Sequence, residues 1–155
     1  MLVTFIRHAE QYRNGSIDPH IKPGVFAVNV TYDNIISSPY LRCRETAAAV
    51  NTAQKPTYID VRLSEYQTQP HRNNKLDPST LQWGPVPVKE TWEECAARID
   101  AFYDYVREFS KIYGNTLVVT HGVVVNYLHE KTTGTKLAAR GRNVPFVGGF
   151  TLNVV

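Results

Sequence analysis

Two short apolar runs constrain the fold of this 155-residue chain more than any other feature. Residues 2–6 read LVTFI and residues 116–120 read TLVVT, without the strict alternation of a strand that faces water on one side. Such runs are typical of strands buried on both faces, as in a parallel sheet covered by helices. The sequence therefore predicts an α/β fold with a mostly parallel sheet flanked by helices, in which these two runs are central strands.

Further segments alternate between strand and helix character. Residues 33–37 and 57–61 are predicted to be strands because they are short and rich in β-branched or aromatic residues. Helices are predicted over residues 42–53, 91–113 and 123–134. This alternation, in a chain of ordinary domain length, predicts a single domain spanning residues 1–155.

The helix predicted over residues 91–113 carries three independent signals. Thr91 and Glu94 have the spacing of a capping box at its start, and Gly114 stands where a C-terminal cap is expected. Apolar side chains recur at spacings of three and four and form one stripe, which consists of Trp92, Cys95, Ile99, Phe102, Val106, Phe109 and Tyr113.

Two segments depart from the alternation of strands and helices. Residues 146–155, FVGGFTLNVV, predict a hairpin that turns on Gly148 and Gly149. Residues 66–90 contain four prolines and show no clean period. Because long irregular segments of compact domains are usually functional or disordered, we expect residues 66–90 to cover a site.

A histidine follows each of the two central apolar runs. His8 comes after the first run with only Arg7 between, and His121 directly follows the second run and precedes Gly122. In open α/β sheets, ligands bind outside the carboxyl ends of the strands, and the start of a helix favours an anion. A lone histidine is more often a buried or capping residue, but two at equivalent strand ends favour a shared anion site.

Arg42 and Glu65 add a cation and a carboxylate to this group. Arg42 lies in the first turn of its predicted helix, where a cation opposes the helix dipole, so it is easier to explain if it points at a shared anion. Glu65 follows the third predicted strand and could transfer protons there. A solvated arginine and a surface glutamate are the alternatives.

Three motifs, in this order, carry a resemblance to a known family. They are RHAEQYRN at residues 7–14, SSPYLRCRETA at 37–47 and VVTHGVVVNYL at 118–128. Together they resemble the RHG signature, the serine–arginine motif and the strand-end His-Gly of the histidine phosphatase superfamily. The resemblance implies a short member with the phosphoglycerate-mutase-like fold, a three-layer sandwich of helices around the sheet.

The resemblance also implies roles for individual residues. His8 would be the nucleophile that takes the phosphoryl group, and Glu65 would donate a proton to the leaving group. Arginine forks match phosphate geometry, so neither a metal nor a cofactor is expected. The residues that would bind the phosphate are Arg7, Asn14, Arg42, His121 and Gly122, of which Arg7, Arg42 and His121 would also act in catalysis.

The two histidines would do different work because their neighbours differ. The arginines should lower the pKa of His8, which keeps the nucleophile unprotonated, whereas a bound phosphate dianion should help His121 to stay protonated. Glu65 must carry a proton for part of the cycle. The sequence therefore predicts an acidic to neutral pH optimum.

Two positions depart from the family pattern. Ala9 replaces the usual glycine of the RHG signature, which would restrict the backbone if φ were positive there. Gln11 stands where tyrosine-directed members have a further arginine and mutases commonly have a small hydroxyl residue. The substrate is therefore left as a small phosphorylated molecule or a phosphoprotein: a phosphohistidine, a phosphotyrosine, a sugar phosphate or a nucleotide.

Three other functions are alternatives to a phosphatase. A metalloenzyme could use His8, His121 and Glu65, but adjacent arginines would work against metal binding. A non-catalytic phosphate-binding or interaction module on the same fold remains an alternative. A mutase is less favoured because the segment between Glu65 and His121 is short.

Bulk composition bears on partners and location. A net charge of +3 without a block of lysines and arginines gives no reason to expect nucleic acid as a partner. No run of residues approaches the ~18 apolar positions of a membrane span. The two cysteines, Cys43 and Cys95, form no CxxC pair and predict a reducing, cytoplasmic location. The oligomeric state is left open.

Overall fold

A sheet forms the middle layer of the computed structural model, which describes residues 1–13, 19–24, 26–66, 89–138 and 143–155. Within these residues it has five strands, which are β1 Leu2–Arg7, β2 Asn34–Ser37, β3 Thr57–Ile59, β4 Thr116–Thr120 and β5 Gly149–Asn153. Their spatial order is β3-β2-β4-β1-β5. The first four run parallel to their neighbours, and β5 runs antiparallel to β1. The predicted mostly parallel sheet is confirmed.

Helices cover both faces of this sheet, so the predicted three-layer sandwich is also confirmed. On one face, α1, Leu41–Val50, packs with residues 26–32 on the alternate side chains Ile6, Ile35, Leu117 and Val119. On the other face, α2, Trp92–Tyr113, and α3, Gly122–Thr133, enclose Val3, Phe5, Ile36 and Val118. Because successive residues of a strand point to opposite faces, β1 and β4 supply both cores.

The long helix α2 begins and ends as its sequence predicts. Thr91 is the N-cap and forms a complete capping box with Glu94, and Gly114 ends the helix with a φ of 99°. The middle of the apolar stripe is buried, but Trp92 and Tyr113 at its ends are exposed. Among the described residues, no helix combines the length and apolar character needed to cross a membrane.

Two elements end earlier than predicted because side chains close turns at their ends. Helix α1 stops at Val50, since the Asn51 side chain donates to the Lys55 carbonyl and accepts from its N–H, each at 2.8 Å. Strand β3 stops at Ile59, since the Asp60 carboxylate caps a 3₁₀ turn over Val61–Leu63. Both devices are local side-chain to backbone hydrogen bonds that compete with regular structure.

The predicted hairpin over residues 146–155 is wrong. The Gly148 N–H donates to the carbonyl of Pro145, so the chain turns before the glycine pair rather than on it. Residues 149–153 then form a single strand whose partner is β1 at the far end of the sequence. The pattern of residues correctly predicts a strand after a turn, but its partner is distant rather than adjacent.

Gly149 provides a test of this edge pairing. A Cβ at Gly149 would overlap the carbonyl oxygen of Phe5, a backbone atom of β1 that cannot move aside without breaking the pairing. We expect Gly149→Ala to lower the free energy of unfolding by at least about 3 kcal/mol. Urea unfolding monitored by circular dichroism measures this change.

The matched control is Gly134→Ala, at the end of α3. Gly134 has a φ of 83° but open space around it, so this change adds backbone strain without a clash. It should lower the free energy of unfolding by about 1 kcal/mol. Equal losses at the two glycines would contradict the role of Gly149 in the β1–β5 pairing.

Candidate active site

The ends of β1 and β4 bring the two histidines together. These strands are parallel neighbours with Arg7 paired to Thr120, and the His8 N–H donates to the Thr120 carbonyl at 2.9 Å. The residue that follows each strand is a histidine. The rings of His8 and His121 meet edge-on with centroids 5.5 Å apart, and both residues are buried.

Arg42 lies between the two imidazoles. It is the second residue of α1, and it is only 5% exposed, so it is not a solvated helix-end arginine. Its Nε donates to His8 Nε2 at 3.3 Å, and its Nη2 lies 3.5 Å from His121 Nδ1. The guanidinium also stacks on Tyr40, with 4.7 Å between Cζ and the ring centroid. Arg42 therefore joins both histidines in one cluster.

The hydrogen bonds of His8 define its tautomer. Its Nδ1 lies 2.7 Å from the Ala9 carbonyl oxygen, which can only accept, so Nδ1 carries the hydrogen. The Nε2 atom faces the Arg42 Nε, which can only donate, so Nε2 presents its lone pair. Burial, followed by the charges of Arg42 and Arg7, lowers the pKa of His8 to about 3. His8 is therefore a neutral imidazole at neutral pH.

His121 is held in the same neutral state by its surroundings. Burial, followed by the Arg42 charge and the neighbouring His8, lowers its pKa well below the ordinary value. Its Nε2 lies 2.9 Å from the Ser38 hydroxyl, which can accept the Nε2 hydrogen. The sequence prediction that His121 is protonated depends on a bound dianion, because the residues of the site by themselves favour the neutral ring.

Arg7 is positioned by aromatic stacking and by the absence of a side chain at Gly122. Its Nη1 donates to the Val144 carbonyl at 2.7 Å, and its Cζ lies 4.1 Å from the Phe146 ring centroid. A Cβ on Gly122 would lie 3.3 Å from the Arg7 Cδ and 3.4 Å from its Nε, which is tight. Gly122 thus lets the Arg7 side chain lie against the first turn of α3.

Glu65 forms the rim of the cluster. Its Oε2 accepts from the Arg42 Nη2 at 2.6 Å, and its side chain is 33% exposed. The Thr120 hydroxyl donates to the Leu63 carbonyl at 2.7 Å, which ties the turn before Glu65 to the end of β4. A carboxylate thus stands between the buried guanidinium and solvent.

Ala9 fits its position without strain. Among the described residues other than glycine, only Gln54 and Val147 have positive φ, so the Ala9 backbone does not need a glycine. The Ala9 N–H donates to the Thr46 hydroxyl at 2.8 Å, and that hydroxyl donates to the Arg42 carbonyl at 2.7 Å. These two hydrogen bonds attach Ala9, whose carbonyl is the hydrogen-bond partner of His8, to α1.

The structure describes only some of the residues that the sequence points to. Asn14 falls outside the described residues, as do residues 67–88, which make up most of the segment expected to cover the site. Arg44 donates its Nε to the Pro39 carbonyl at 2.8 Å. Of the two arginines of α1, Arg42 is the one that contacts the histidines.

Sequence reasoning missed four residues that support the cluster. Ser38 and Thr46 belong to the second motif and could have been found from it. Phe146 gave no signal, because its contact with Arg7 joins distant parts of the chain. Arg98, on α2, looks in sequence like any helical surface arginine, yet it donates to the Glu65 carbonyl at 2.9 Å.

The arrangement is suited to a tetrahedral anion. Two guanidiniums and two imidazoles converge on one edge of the sheet, and planar guanidinium forks match phosphate oxygens. In the part of the chain that the structure describes, no group of three or more histidine, cysteine or acidic side chains could hold a metal ion. The arginine between His8 and His121 also works against metal binding there.

Comparison with solved structures gives the same fold in proteins of low sequence identity. A protein from Escherichia coli assigned as an alpha-ribazole-5'-P phosphatase aligns with a TM-score of 0.67 and 22% identity over 94% of this chain and 86% of its own. The alpha-ribazole phosphatase from Shigella flexneri aligns with a TM-score of 0.64 and 21% identity over 94% and 87%. A phosphoglycerate mutase from Bacillus anthracis aligns with a TM-score of 0.64 and 20% identity over 100% and 92%.

Sequence comparison identifies the family. No curated protein sequence matches this chain significantly. Residues 25–146 match the family model of the histidine phosphatase superfamily, branch 1. The matched region spans well over half of the chain and contains Arg42, Glu65 and His121, whereas Arg7 and His8 precede it. With its phosphoglycerate-mutase-like fold, the chain belongs to the histidine phosphatase superfamily.

Proposed function

We propose that this protein is a phosphatase that hydrolyses phosphate monoesters through a covalent phosphohistidine on His8, without a metal. The observation that carries the proposal is the state of His8. The Ala9 carbonyl fixes the hydrogen on Nδ1, and the Nε2 lone pair faces the Arg42 guanidinium, where a phosphate would bind. A neutral imidazole held in this tautomer keeps its Nε2 unprotonated at neutral pH, which a nucleophilic histidine requires.

In the first step, the hydrogen bond from the Arg42 Nε to His8 Nε2 breaks, and the freed Nε2 lone pair attacks the phosphorus atom. The N–P bond forms as the bond between phosphorus and the leaving oxygen breaks, and Glu65 donates a proton to that oxygen. Negative charge on the equatorial phosphate oxygens is stabilised by Arg7 and Arg42, which supply fixed positive charge in a mostly buried site. The alcohol leaves with the proton from Glu65.

In the second step, water attacks the phosphorus of the phosphohistidine. Glu65, now a carboxylate, takes a proton from the water as the N–P bond breaks. The products are inorganic phosphate and neutral His8, and Glu65 is protonated again. The position of Glu65 at the exposed rim supports this role, because both the leaving group and water would approach from that side.

Substrate binding would change the pairing of Arg42. In the described structure the Arg42 Nη2 donates to Glu65, so a phosphate oxygen at Arg42 would share or replace that contact. A dianion next to the Glu65 carboxylate would favour the protonated carboxyl, since like charges repel. Substrate binding would in this way favour the protonated Glu65 that the first step requires.

The substrate is proposed only as a class: a small phosphorylated molecule or a phosphoprotein. The similar structures include two proteins named as alpha-ribazole phosphatases and one named as a phosphoglycerate mutase. This chain covers 92% of that mutase, so chain length does not separate hydrolysis from mutase chemistry. Release of inorganic phosphate to water is the observation that separates them.

The proposal predicts metal-independent turnover of p-nitrophenyl phosphate that requires His8. His8→Ala removes the nucleophile and should lower kcat/KM by at least about a thousandfold. The control is His129→Ala on α3, whose ring bonds to the Thr135 carbonyl at 2.6 Å, outside the cluster, and which should change kcat/KM little. Both variants are assayed for nitrophenol and inorganic phosphate, with and without a chelator.

Three results would contradict this proposal. Full activity in His8→Ala would exclude the nucleophile, and loss of activity on chelation would exclude the metal-free mechanism. Phosphate binding by the wild type without any turnover would favour the non-catalytic module.

The neutral state of His8 also predicts how stability changes with pH. An unfolded histidine titrates near its ordinary pKa of 6.5, whereas in the folded protein the pKa is about 3. Between these values the unfolded chain binds the proton and the folded protein does not. The free energy of unfolding should therefore be flat above pH 6.5 and fall with acidification, by up to about 1.4 kcal/mol per pH unit for each such histidine.

His121 contributes with the same sign, because its pKa is lowered as well. Urea unfolding at a series of pH values measures the slope, and His8→Asn should make the slope shallower by about 1.4 kcal/mol per pH unit. An identical slope in wild type and variant would show that His8 is not buried in its neutral form.

A further inference from the structure

We propose that Arg98 is a positioning residue that holds Glu65 in place for proton transfer, and that Glu90 orients Arg98. This inference rests on the proposed function, because it takes Glu65 to be the proton donor. Arg98 is on α2, which belongs to a different layer from α1 and its Arg42. In the described structure Arg98 forms no hydrogen bond with either histidine. It bonds instead to the backbone carbonyl of Glu65, the proposed acid.

The first observation is that one guanidinium binds both ends of the segment that leads to Glu65. Arg98 Nη1 donates to the Arg62 carbonyl at 2.7 Å, and Nη2 donates to the Glu65 carbonyl at 2.9 Å. The segment begins in the 3₁₀ turn Val61–Leu63 and has left regular structure by Glu65. Glu65 belongs to no strand or helix, so no regular backbone pairing holds its carbonyl. The Arg98 side chain, from another layer, donates to that carbonyl instead.

The second observation is that Arg98 is itself fixed by a buried carboxylate. Its Nε donates to Glu90 Oε2 at 2.9 Å and its Nη2 donates to Glu90 Oε1 at 2.6 Å, a two-point contact that sets the plane of the guanidinium. The side chains are 13% and 5% exposed, respectively. Solvent therefore screens this pair little, and the fork has one favoured orientation.

The place of this ion pair indicates its role. Buried ion pairs are weak evidence for stability, because the desolvation of both charges opposes their attraction. This pair lies where it constrains the backbone of Glu65, whose carboxylate reaches Arg42 from the rim of the site. Proton transfer depends on placement to within about 1 Å, so a loosened Glu65 backbone would weaken acid catalysis.

The test uses two substrates of similar shape whose leaving groups differ in basicity. p-Nitrophenolate leaves readily without a proton, whereas phenolate needs help from an acid. The parameter is kcat/KM, which reports the first step alone because phosphohistidine hydrolysis follows release of the alcohol. The variant is Arg98→Lys, which keeps the positive charge near Glu90 but loses the planar fork that reaches both carbonyls.

We expect Arg98→Lys to lower kcat/KM for phenyl phosphate about tenfold and for p-nitrophenyl phosphate less than about twofold. The matched control is Arg107→Lys, further along α2, where the guanidinium lies 5.5 Å from the Tyr103 ring; it should affect both substrates equally and little. Equal losses on both substrates in Arg98→Lys would overturn the inference, because a structural defect does not discriminate between leaving groups. No loss on either substrate would also overturn it.

Two further variants keep the test decisive if Arg98→Lys folds poorly. Glu90→Gln frees the Arg98 fork and should reproduce the selective loss on phenyl phosphate to a smaller extent. Glu65→Gln should show the selective loss in full, and adding Glu90→Gln to it should cause little further loss, because both changes act on one step. Additive losses in the double variant would contradict a role through Glu65.

The same measurements separate failure of this inference from failure of the proposed function. If His8→Ala retains activity, the phosphohistidine mechanism is wrong. If His8 is essential but Glu65→Gln and Arg98→Lys show no dependence on the leaving group, the mechanism stands and the positioning role of Arg98 is wrong.

Discussion

The parallel pairing of β1 with β4 is the constraint on which the rest of this structure depends. It aligns Arg7 with Thr120, and the residues that follow are two histidines emerging at the same edge of the sheet. Both strands are apolar on both faces, because helices or loops cover each side. The buried sheet and the position of the candidate site therefore have one origin. Because β1 and β4 pair in parallel at the centre of the sheet, their carboxyl ends lie side by side.

The charged side chains at this edge are placed in a way that suits phosphoryl transfer. Arg42 touches both imidazoles, and burial, followed by the Arg42 charge, lowers their pKa values. The guanidiniums are in turn supported by aromatic faces, Tyr40 for Arg42 and Phe146 for Arg7. Glu65 balances part of this positive charge at the rim. A phosphate would thus meet fixed cations and a neutral nucleophile, with the carboxyl group on the side facing solvent.

Local patterns in the sequence were sufficient for the central strands, the long helix and the juxtaposed histidines. Periodicity and capping residues are properties of neighbouring positions, which is why α2 could be predicted to within a residue. The strand after Gly148 has the local pattern of a hairpin strand, but its partner, β1, lies at the other end of the chain. No local pattern distinguishes an edge strand with a distant partner from a hairpin strand.

Site residues that depend on long-range packing leave no local pattern in the sequence. Arg42 was found because a cation in the first turn of a helix is unusual, but Arg98 occupies an ordinary helical position. Its significance comes from carbonyl groups more than thirty residues away, which only the packing of α2 against the 3₁₀ turn brings near. The neutral state of His121 likewise follows from complete burial beside Arg42, which the sequence does not encode locally.

The most direct test of the phosphohistidine mechanism is to trap the phosphoenzyme. Wild-type protein is mixed with a ³²P-labelled phosphate monoester, quenched within the first turnover in alkali, which preserves phosphohistidine, and digested to locate the label by mass spectrometry. We expect label on His8, stable in alkali and lost in acid, and no label in His8→Ala. Label on another residue, or rapid product release with no labelled protein, would contradict the central claim that His8 carries the phosphoryl group.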